Sequence, residues 1–439
     1  MRTKFLAVAL LLSSYLGISQ QKLTLSEAVN YALENKAEAV KAQLDIANSE
    51  VKIKEVRANA LPSINAQGGL TYNPILQKMA MNIGGQTMVI RMGQPWQSQA
   101  TVQLNQQLFN QAVFIGLKAA RTTREFYQIN AQLTEEQIIE KVATSYYEVY
   151  KTQSQLKTLT QTIDNTNRVK AVIQSLYDNG LAKKIDLDRM IVTVNNLESN
   201  KVQLTNAIEL QENALKYLIG MDMNIDIELP DTTFEPTRLS FIADDSTVEN
   251  RTEIKVLEKQ RELLQLNKKA TEAAGLPTLS LSANYGYLGF GEKMPWWHGS
   301  PNANWANFSA IGLNLTVPIF NGGAVKAKVK QAEIDLQKLE VETNDVRLAL
   351  DLSLKNALTK LNNSMLTINT QRANVNLAKD VLTNVENNYK YGLANLTDLI
   401  EAENAHAEAQ NNYTNALLDF KLAEIELIKA KGELRELTK

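Results

Sequence analysis

Two hydrophobic periodicities divide this chain. In residues 63–72, Ile64, Ala66, Gly68, Leu70 and Tyr72 alternate with Ser63, Asn65, Gln67, Gly69 and Thr71. In residues 100–108, Ala100, Val102, Leu104 and Leu108 alternate with Thr101, Gln103, Asn105 and Gln107. The second half repeats the pattern. Leu279, Leu281, Ala283, Tyr285 and Tyr287 oppose Ser280, Ser282, Asn284 and Gly286, and Ile311, Leu313, Leu315 and Val317 oppose Ala310, Gly312, Asn314 and Thr316. Period 2 predicts strands with one apolar and one uncharged polar face. Each strand is about 9–11 residues long, enough to cross a bilayer when tilted. Apolar-out and polar-in is the pattern of a transmembrane barrel with a wet lumen. On alternation alone, an amphipathic soluble sheet fits equally well.

Between these segments the pattern turns helical. No glycine falls between Gly116 and Gly180, or between Gly323 and Gly392. The spacing predicts long helices over 111–177 and 324–389, each about 100 Å at 1.5 Å per residue. Ile138, Ile139, Val142, Tyr146, Val149 and Tyr150 mark an apolar face on the first, and Leu348, Leu350, Leu352, Leu354, Leu358 and Leu361 on the second. Shorter helices are expected over 24–59, 182–219, 247–274 and 394–436. Each long helix would lie beside two shorter ones stacked end to end.

The chain is internally duplicated. Tyr177, Gly180, Leu181, Ala182, Asp186 and Leu187 recur as Tyr389, Gly392, Leu393, Ala394, Asp398 and Leu399, 212 positions later. That period is too long for a solenoid unit, so it marks duplicated halves. The organisation read from the sequence is a signal peptide over 1–19, a first repeat over 20–219 with its hairpin at 62–108, a linker over 220–246, and a second repeat over 247–439 with its hairpin at 277–318.

The N-terminus reads as an export signal. Arg2 and Lys4 form the charged region, Phe5 to Leu12 the apolar one, and Gly17 and Ser19 suit cleavage after Ser19. No later run of about 18 apolar residues predicts a transmembrane helix. A net charge of −2 argues against nucleic acid as a partner. Cysteine is absent and only His298 and His406 represent histidine, so no thiolate site, catalytic triad or cofactor is expected. The tryptophans Trp96, Trp296, Trp297 and Trp305 sit in or beside the loops joining the strands, where aromatic residues favour a membrane interface. Export, strand length and tryptophan placement together favour the barrel. Four strands cannot enclose a wet lumen, because small closed barrels need about eight. The expectation is an α+β membrane protein whose chain supplies four transmembrane strands. As a homotrimer it would form a 12-stranded barrel in outer-membrane lipid with a long α-helical coiled-coil tunnel in the periplasm. A structural alternative is an exported coiled-coil scaffold or adhesin without a pore; an enzyme is disfavoured.

The junction motifs carry a resemblance. Leu61-Pro62-Ser63 and Leu276-Pro277-Thr278 precede the first strand of each half, and Leu108-Phe109-Asn110 and Pro318-Ile319-Phe320-Asn321-Gly322-Gly323 follow the second. With the duplicated Tyr-x-x-Gly-Leu turn, almost the whole mature chain resembles the TolC-type outer-membrane efflux channel family. The resemblance implies a passive exit duct for an inner-membrane transporter, joined through a periplasmic adaptor protein. Residues 220–246, with Pro230 and Pro236, would form its equatorial belt.

The turns carry the candidate site. Gly180 and Gly392 are placed to cap long helices, where glycine takes the left-handed conformation easily. By resemblance, Gly180, Leu181, Gly392 and Leu393 form the adaptor-docking tip. Asp186 and Asp398 are expected as helix N-caps, with Asp398-x-x-Glu401 as a capping box. The resemblance also implies that Asp398 and Glu401 ring the periplasmic aperture, with Asp186 nearby, and that Tyr389 helps close it. The family's closing arginine is replaced by Ala394, so the lock must differ, with Lys183 or Lys184 as candidates. Met79, Met81, Met88 and Met92 lie in the loop over 73–98. Thioethers suit Cu(I), but methionines in a flexible loop are more often adaptable packing, and no metal is assigned.

Overall fold

The computed structural model describes residues 21–230, 248–295 and 303–438. The export signal, Pro236, Trp296, Trp297 and His298 lie outside the described residues. In chain order come β1 (Gln21–Lys22), α1 (Leu25–Asn35), α2 (Ala37–Ala58), β2 (Ser63–Tyr72), β3 (Lys78–Ile83), β4 (Gln86–Arg91) and β5 (Trp96–Phe109). Then follow α3 (Gln111–Asp178), α4 (Lys184–Ile219), β6 (Ile227–Glu228), α5 (Thr252–Ala273), β7 (Thr278–Gly291), β8 (Ala303–Thr316), α6 (Ala324–Lys390) and α7 (Leu396–Lys431). No described helix is long and apolar enough to cross a membrane.

Two expectations change. The helix foreseen over 24–59 breaks at Lys36, whose backbone is extended (φ −66°, ψ 129°). Its ammonium lies 3.8 Å from the centre of the Tyr217 ring and donates to the Tyr217 carbonyl at 2.9 Å. This partner, distant in sequence, meets the cation at the bend, although nothing near Lys36 breaks helices. The segment 73–98 is also more than a loop, because it contains the β3–β4 hairpin, closed by Gly84 and Gly85 at φ 62° and 85°. Two consecutive positive φ values match the hairpin twist, and glycine adopts them without strain.

The chain folds as two compact units, each drawing on both duplicated halves. One takes the chain up to Leu44, Gln128–Val256 and the chain from Thr343 on; the other takes Asp45–Tyr127 and Leu257–Glu342. The second unit holds a four-stranded antiparallel sheet in the order β2-β5-β7-β8. Its strands run 10, 14, 14 and 14 residues; β2 keeps the 63–72 range read from the alternation, and the other three are longer. Strand pairing continues through Trp96–Gln99 and Ala303–Ser309, where the apolar alternation fades.

Register sorts the two faces of this sheet. Ile64 pairs with Leu104, Leu104 with Ala283, and Ala283 with Ile311; Ala66, Val102 and Tyr285 form the next row. Partners across a ladder share a face, so the alternating apolar positions of the four strands fall on one side, while Leu288, Phe290 and Phe308 fall on the other. Asn65, Gln103 and Asn284 line up on the other. The apolar side is uncovered: Ile64 is 67% exposed and Ile311 82%.

The first unit is helical. Its largest core joins Ala28, Val29 and Ala32 of α1, Ile138, Ile139, Val142 and Val149 of α3, Leu215 and Ile219 of α4, and Ile425 of α7. The period-3.6 face read on α3 is therefore buried as a stripe. A second core packs Leu361 and Ile368 of α6 against Phe420 and Leu427 of α7.

Candidate functional site

The ends of α3 and α6 are built alike. At the first, the Leu181 N–H donates to the Leu176 carbonyl at 2.7 Å and the Gly180 N–H to the Tyr177 carbonyl at 2.9 Å. At the second, Leu393 donates to Asn388 at 2.8 Å and Gly392 to Tyr389 at 3.0 Å. Gly180 and Gly392 have φ of 73° and 72°. This pairing of bonds is the Schellman motif, which satisfies the last free carbonyls of a helix. The apolar residue after such a glycine usually folds back on its helix. Here Leu181 and Leu393 stay 77% and 78% exposed.

The starts of the following helices correct the capping assignments. At α7 the cap is Asn395, whose side chain accepts the Asp398 N–H at 3.0 Å, while the Asp398 carboxylate accepts the Asn395 N–H at 3.1 Å. Asp398 is thus the third helical residue and completes the box, and Glu401 takes no part in it. The helix begins three residues earlier than Asp398-x-x-Glu401 implied, because Asn395-x-x-Asp398 satisfies the same pattern. At α4 the cap position is Lys183, with no side-chain capping bond, and Asp186 lies in the first turn. There its charge meets the positive end of the helix dipole without capping it.

Apolar packing joins the two turns. Ile173 of α3, Leu187 and Met190 of α4 and Leu396 of α7 form one buried cluster; Leu382 of α6 with Leu399 and Ala402 of α7 form another. Tyr389 packs against both. Burial first, then the negative charge of Asp186, push its phenol above the usual range. Asp186 and Tyr389, from different halves of the duplication, are therefore neighbours. Each fully buried leucine or isoleucine contributes about 1.5–3 kcal/mol, so the tip has a core of its own.

Beside the turns, Arg189 adds a polar link between the halves. Its Nη1 donates to Thr397 Oγ1 at 3.3 Å. The same groove is lined by Ile185, Asp188, Ile400 and Glu401. Among the described residues Lys183 and Lys184 make no side-chain hydrogen bond or ion pair. The cation at this point is not one of the lysines of the turn but Arg189, which reaches Thr397 from further along α4. Asp398 and Glu401 are exposed.

A buried carboxylate lies further along α7. Glu403 is held above the ordinary carboxylate range by burial first and then by the charge of Glu386, against a hydrogen bond from Thr166 at 3.4 Å. His406 is pushed down by burial and by Lys379.

Of the tryptophans, Trp96 opens β5 with its ring centroid 4.6 Å from that of Tyr72. Trp305, on β8, covers Gly289, where a Cβ would lie 2.8 Å from its ring. Both share the apolar side of the sheet.

The profile of the outer membrane efflux protein family matches residues 28–221 and 245–433. Outer membrane protein TolC of Escherichia coli strain K12 is 21% identical over 447 residues, 98% of this chain and 86% of that protein. TolC of Vibrio cholerae is 23% identical over 430 residues, 94% of this chain and 91% of that protein. Among solved structures, the Campylobacter jejuni CmeC outer membrane channel aligns at a TM-score of 0.75 and 16% identity, covering 94% of this chain and 89% of its own. VceC of Vibrio cholerae aligns at 0.74 and 19% identity, covering 93% and 96%. At these identities the structures establish the fold.

Proposed function

This chain belongs to the outer membrane efflux protein family, and from that premise we propose that it is the outer-membrane exit duct of an efflux pump. The carrying observation is the sheet. Its apolar face is continuous across four strands and uncovered, and its outer strands β2 and β8 each pair on one side only. An apolar face of this extent fits lipid. An open edge in hydrocarbon leaves backbone groups unpaired at several kcal/mol each, so membrane sheets close. Closure comes from β8 of one copy pairing with β2 of the next. Two copies give eight strands, whose interior side chains would fill; three give 12 and leave a lumen lined by the uncharged polar face.

The helices of the trimer form the periplasmic tunnel. The protein is a passive conduit and not an enzyme. A periplasmic adaptor docks on the exposed Leu181 and Leu393 beside Gly180 and Gly392, and connects the duct indirectly to an inner-membrane transporter. The aperture is ringed by Asp398 and Glu401 and held shut by the packed tip, with Tyr389, Asp186 and the Arg189–Thr397 bridge joining the two halves. The test is purification from outer membranes in detergent, mass determination and recording in a planar bilayer. A trimer with cation-selective conductance is expected; a protein that extracts without detergent, or one without conductance, contradicts the reading.

A further inference from the structure

The chain has 10 methionines, and Met79, Met81, Met88 and Met92 fall within 14 consecutive positions. The β3–β4 hairpin gives this cluster a geometry. Its register sets Met81 opposite Met88 and Met79 opposite Ile90. The Met92 N–H donates to the Gln77 carbonyl at 2.8 Å, which carries the pairing one step further. Alternate residues of a strand, and partners across a ladder, share a face. Met79, Met81, Met88 and Met92 therefore lie on one side, and Lys78, Thr87 and Arg91 on the other. The tight Gly84-Gly85 turn fixes that register.

Directly opposed Cβ atoms lie about 4.5–5.5 Å apart and diagonal ones about 7–8 Å. A methionine side chain has three rotatable bonds and adapts to irregular spaces. The thioethers of Met79, Met81 and Met88 can thus converge on one point, with Met92 diagonal to Met79. Within the chain this face is not packed away, because the four methionines remain 42–53% exposed. The hairpin is a separate two-stranded sheet, not joined to the four-stranded one.

The donor set selects the ion. Residues 74–95 contain no histidine, cysteine, aspartate or glutamate, so zinc has no side-chain ligand of its preferred kind there, and calcium and magnesium have no carboxylate. Neutral thioethers suit soft ions such as Cu(I). We propose that the β3–β4 hairpin binds a soft monovalent cation of the Cu(I) and Ag(I) class through Met79, Met81 and Met88. Three neutral sulfurs leave the site at a single positive charge, and the two cationic side chains of the hairpin are turned to the other face.

Silver(I) is the probe, because it needs no reductant. The whole protein, labelled with 13C-methyl methionine and held in detergent, is titrated with silver nitrate in chloride-free buffer. One silver per chain is expected, moving the methyl resonances of Met79, Met81 and Met88 and leaving that of Met365 in place. Met81→Leu with Met88→Leu conserves apolar volume and removes two donors. It should weaken binding by more than about 100-fold, beyond the ~10–100-fold that changes outside the ligand shell produce. Unchanged trimer mass and helical circular dichroism establish that the variant is folded. Absence of saturable binding, or binding that survives the double substitution, overturns the proposal. Silver binding does not require a conducting duct, so it and the bilayer recording fail independently.

Discussion

Asp398 is a capping partner at the tip and, in the proposed duct, also a charge at the aperture; two substitutions divide these roles. Asn395→Ala removes the acceptor that the Asp398 N–H meets at 3.0 Å and leaves every carboxylate in place. Loss of such a cap costs about 1 kcal/mol, roughly fivefold in a local equilibrium. If the three tips of a trimer loosen together, the sum is about 3 kcal/mol, on the order of 100-fold. Asp398→Asn keeps an oxygen able to accept the Asn395 N–H, now 3.1 Å from a carboxylate, and removes one charge per chain. It gives up only the charge–dipole contribution of about 0.3–1 kcal/mol. Single-channel recording reads both effects. Salt near 0.1 M keeps the Debye length at about 10 Å, whereas 1 M shortens it to about 3 Å and hides the charges. Asn395→Ala should raise the open fraction strongly at unchanged cation selectivity. Asp398→Asn, alone or with Glu401→Gln, should lower selectivity and block by multivalent cations with a smaller change in open fraction. Equal effects of both substitutions on selectivity, or no effect of either, would refute the division.

Three further outcomes follow from other contacts. Leu181→Asp with Leu393→Asp leaves both Schellman turns intact and should abolish adaptor-dependent export in cells while trimer yield is unchanged; unimpaired export would remove the docking role. Gly286→Ala sets a Cβ 2.8 Å from the Ala100 carbonyl, whereas at Gly312 the nearest atom is 3.6 Å away. Gly286→Ala should cost about 1–3 kcal/mol and lower the thermal midpoint in detergent, and Gly312→Ala should not. The raised pKa of Glu403 means that the folded protein holds this proton more tightly than the unfolded chain. That contribution is complete below the ordinary carboxylate range and is lost as pH rises through the elevated value. Glu403→Gln should therefore stabilise the protein at pH 7.5 and lose most of that advantage near pH 4.5; equal shifts at both pH values would contradict the burial argument.

Legibility in the sequence followed the range of the forces. The strands were visible because Ile64, Leu104 and Ile311 each obey a local alternation, and the glycine-free stretches announced α3 and α6. The bend at Lys36 was hidden because Tyr217, which its ammonium meets, is 181 positions away. The β3–β4 hairpin was overlooked although Gly84-Gly85 is a hairpin signal, because methionine weighs little as a strand former. At the tip, Gly180 and Gly392 were legible from a one-residue rule. The cap of α7 was misplaced because Asn395-x-x-Asp398 and Asp398-x-x-Glu401 are equally plausible boxes, and only the helix start decides between them. Arg189 could not be found by proximity to the turn, since its contact with Thr397 depends on the relative phase of α4 and α7.

The central claim is that one face of the sheet meets lipid and the other water. The chain contains no cysteine, so single cysteines at positions 310–315 of β8 can be introduced and spin-labelled one at a time in bilayers. Ile311, Leu313 and Leu315 should yield labels relaxed by oxygen dissolved in lipid, and Ala310, Gly312 and Asn314 labels relaxed by a water-soluble nickel chelate, in strict alternation. Uniform water accessibility along the strand, or the opposite phase, would contradict the account.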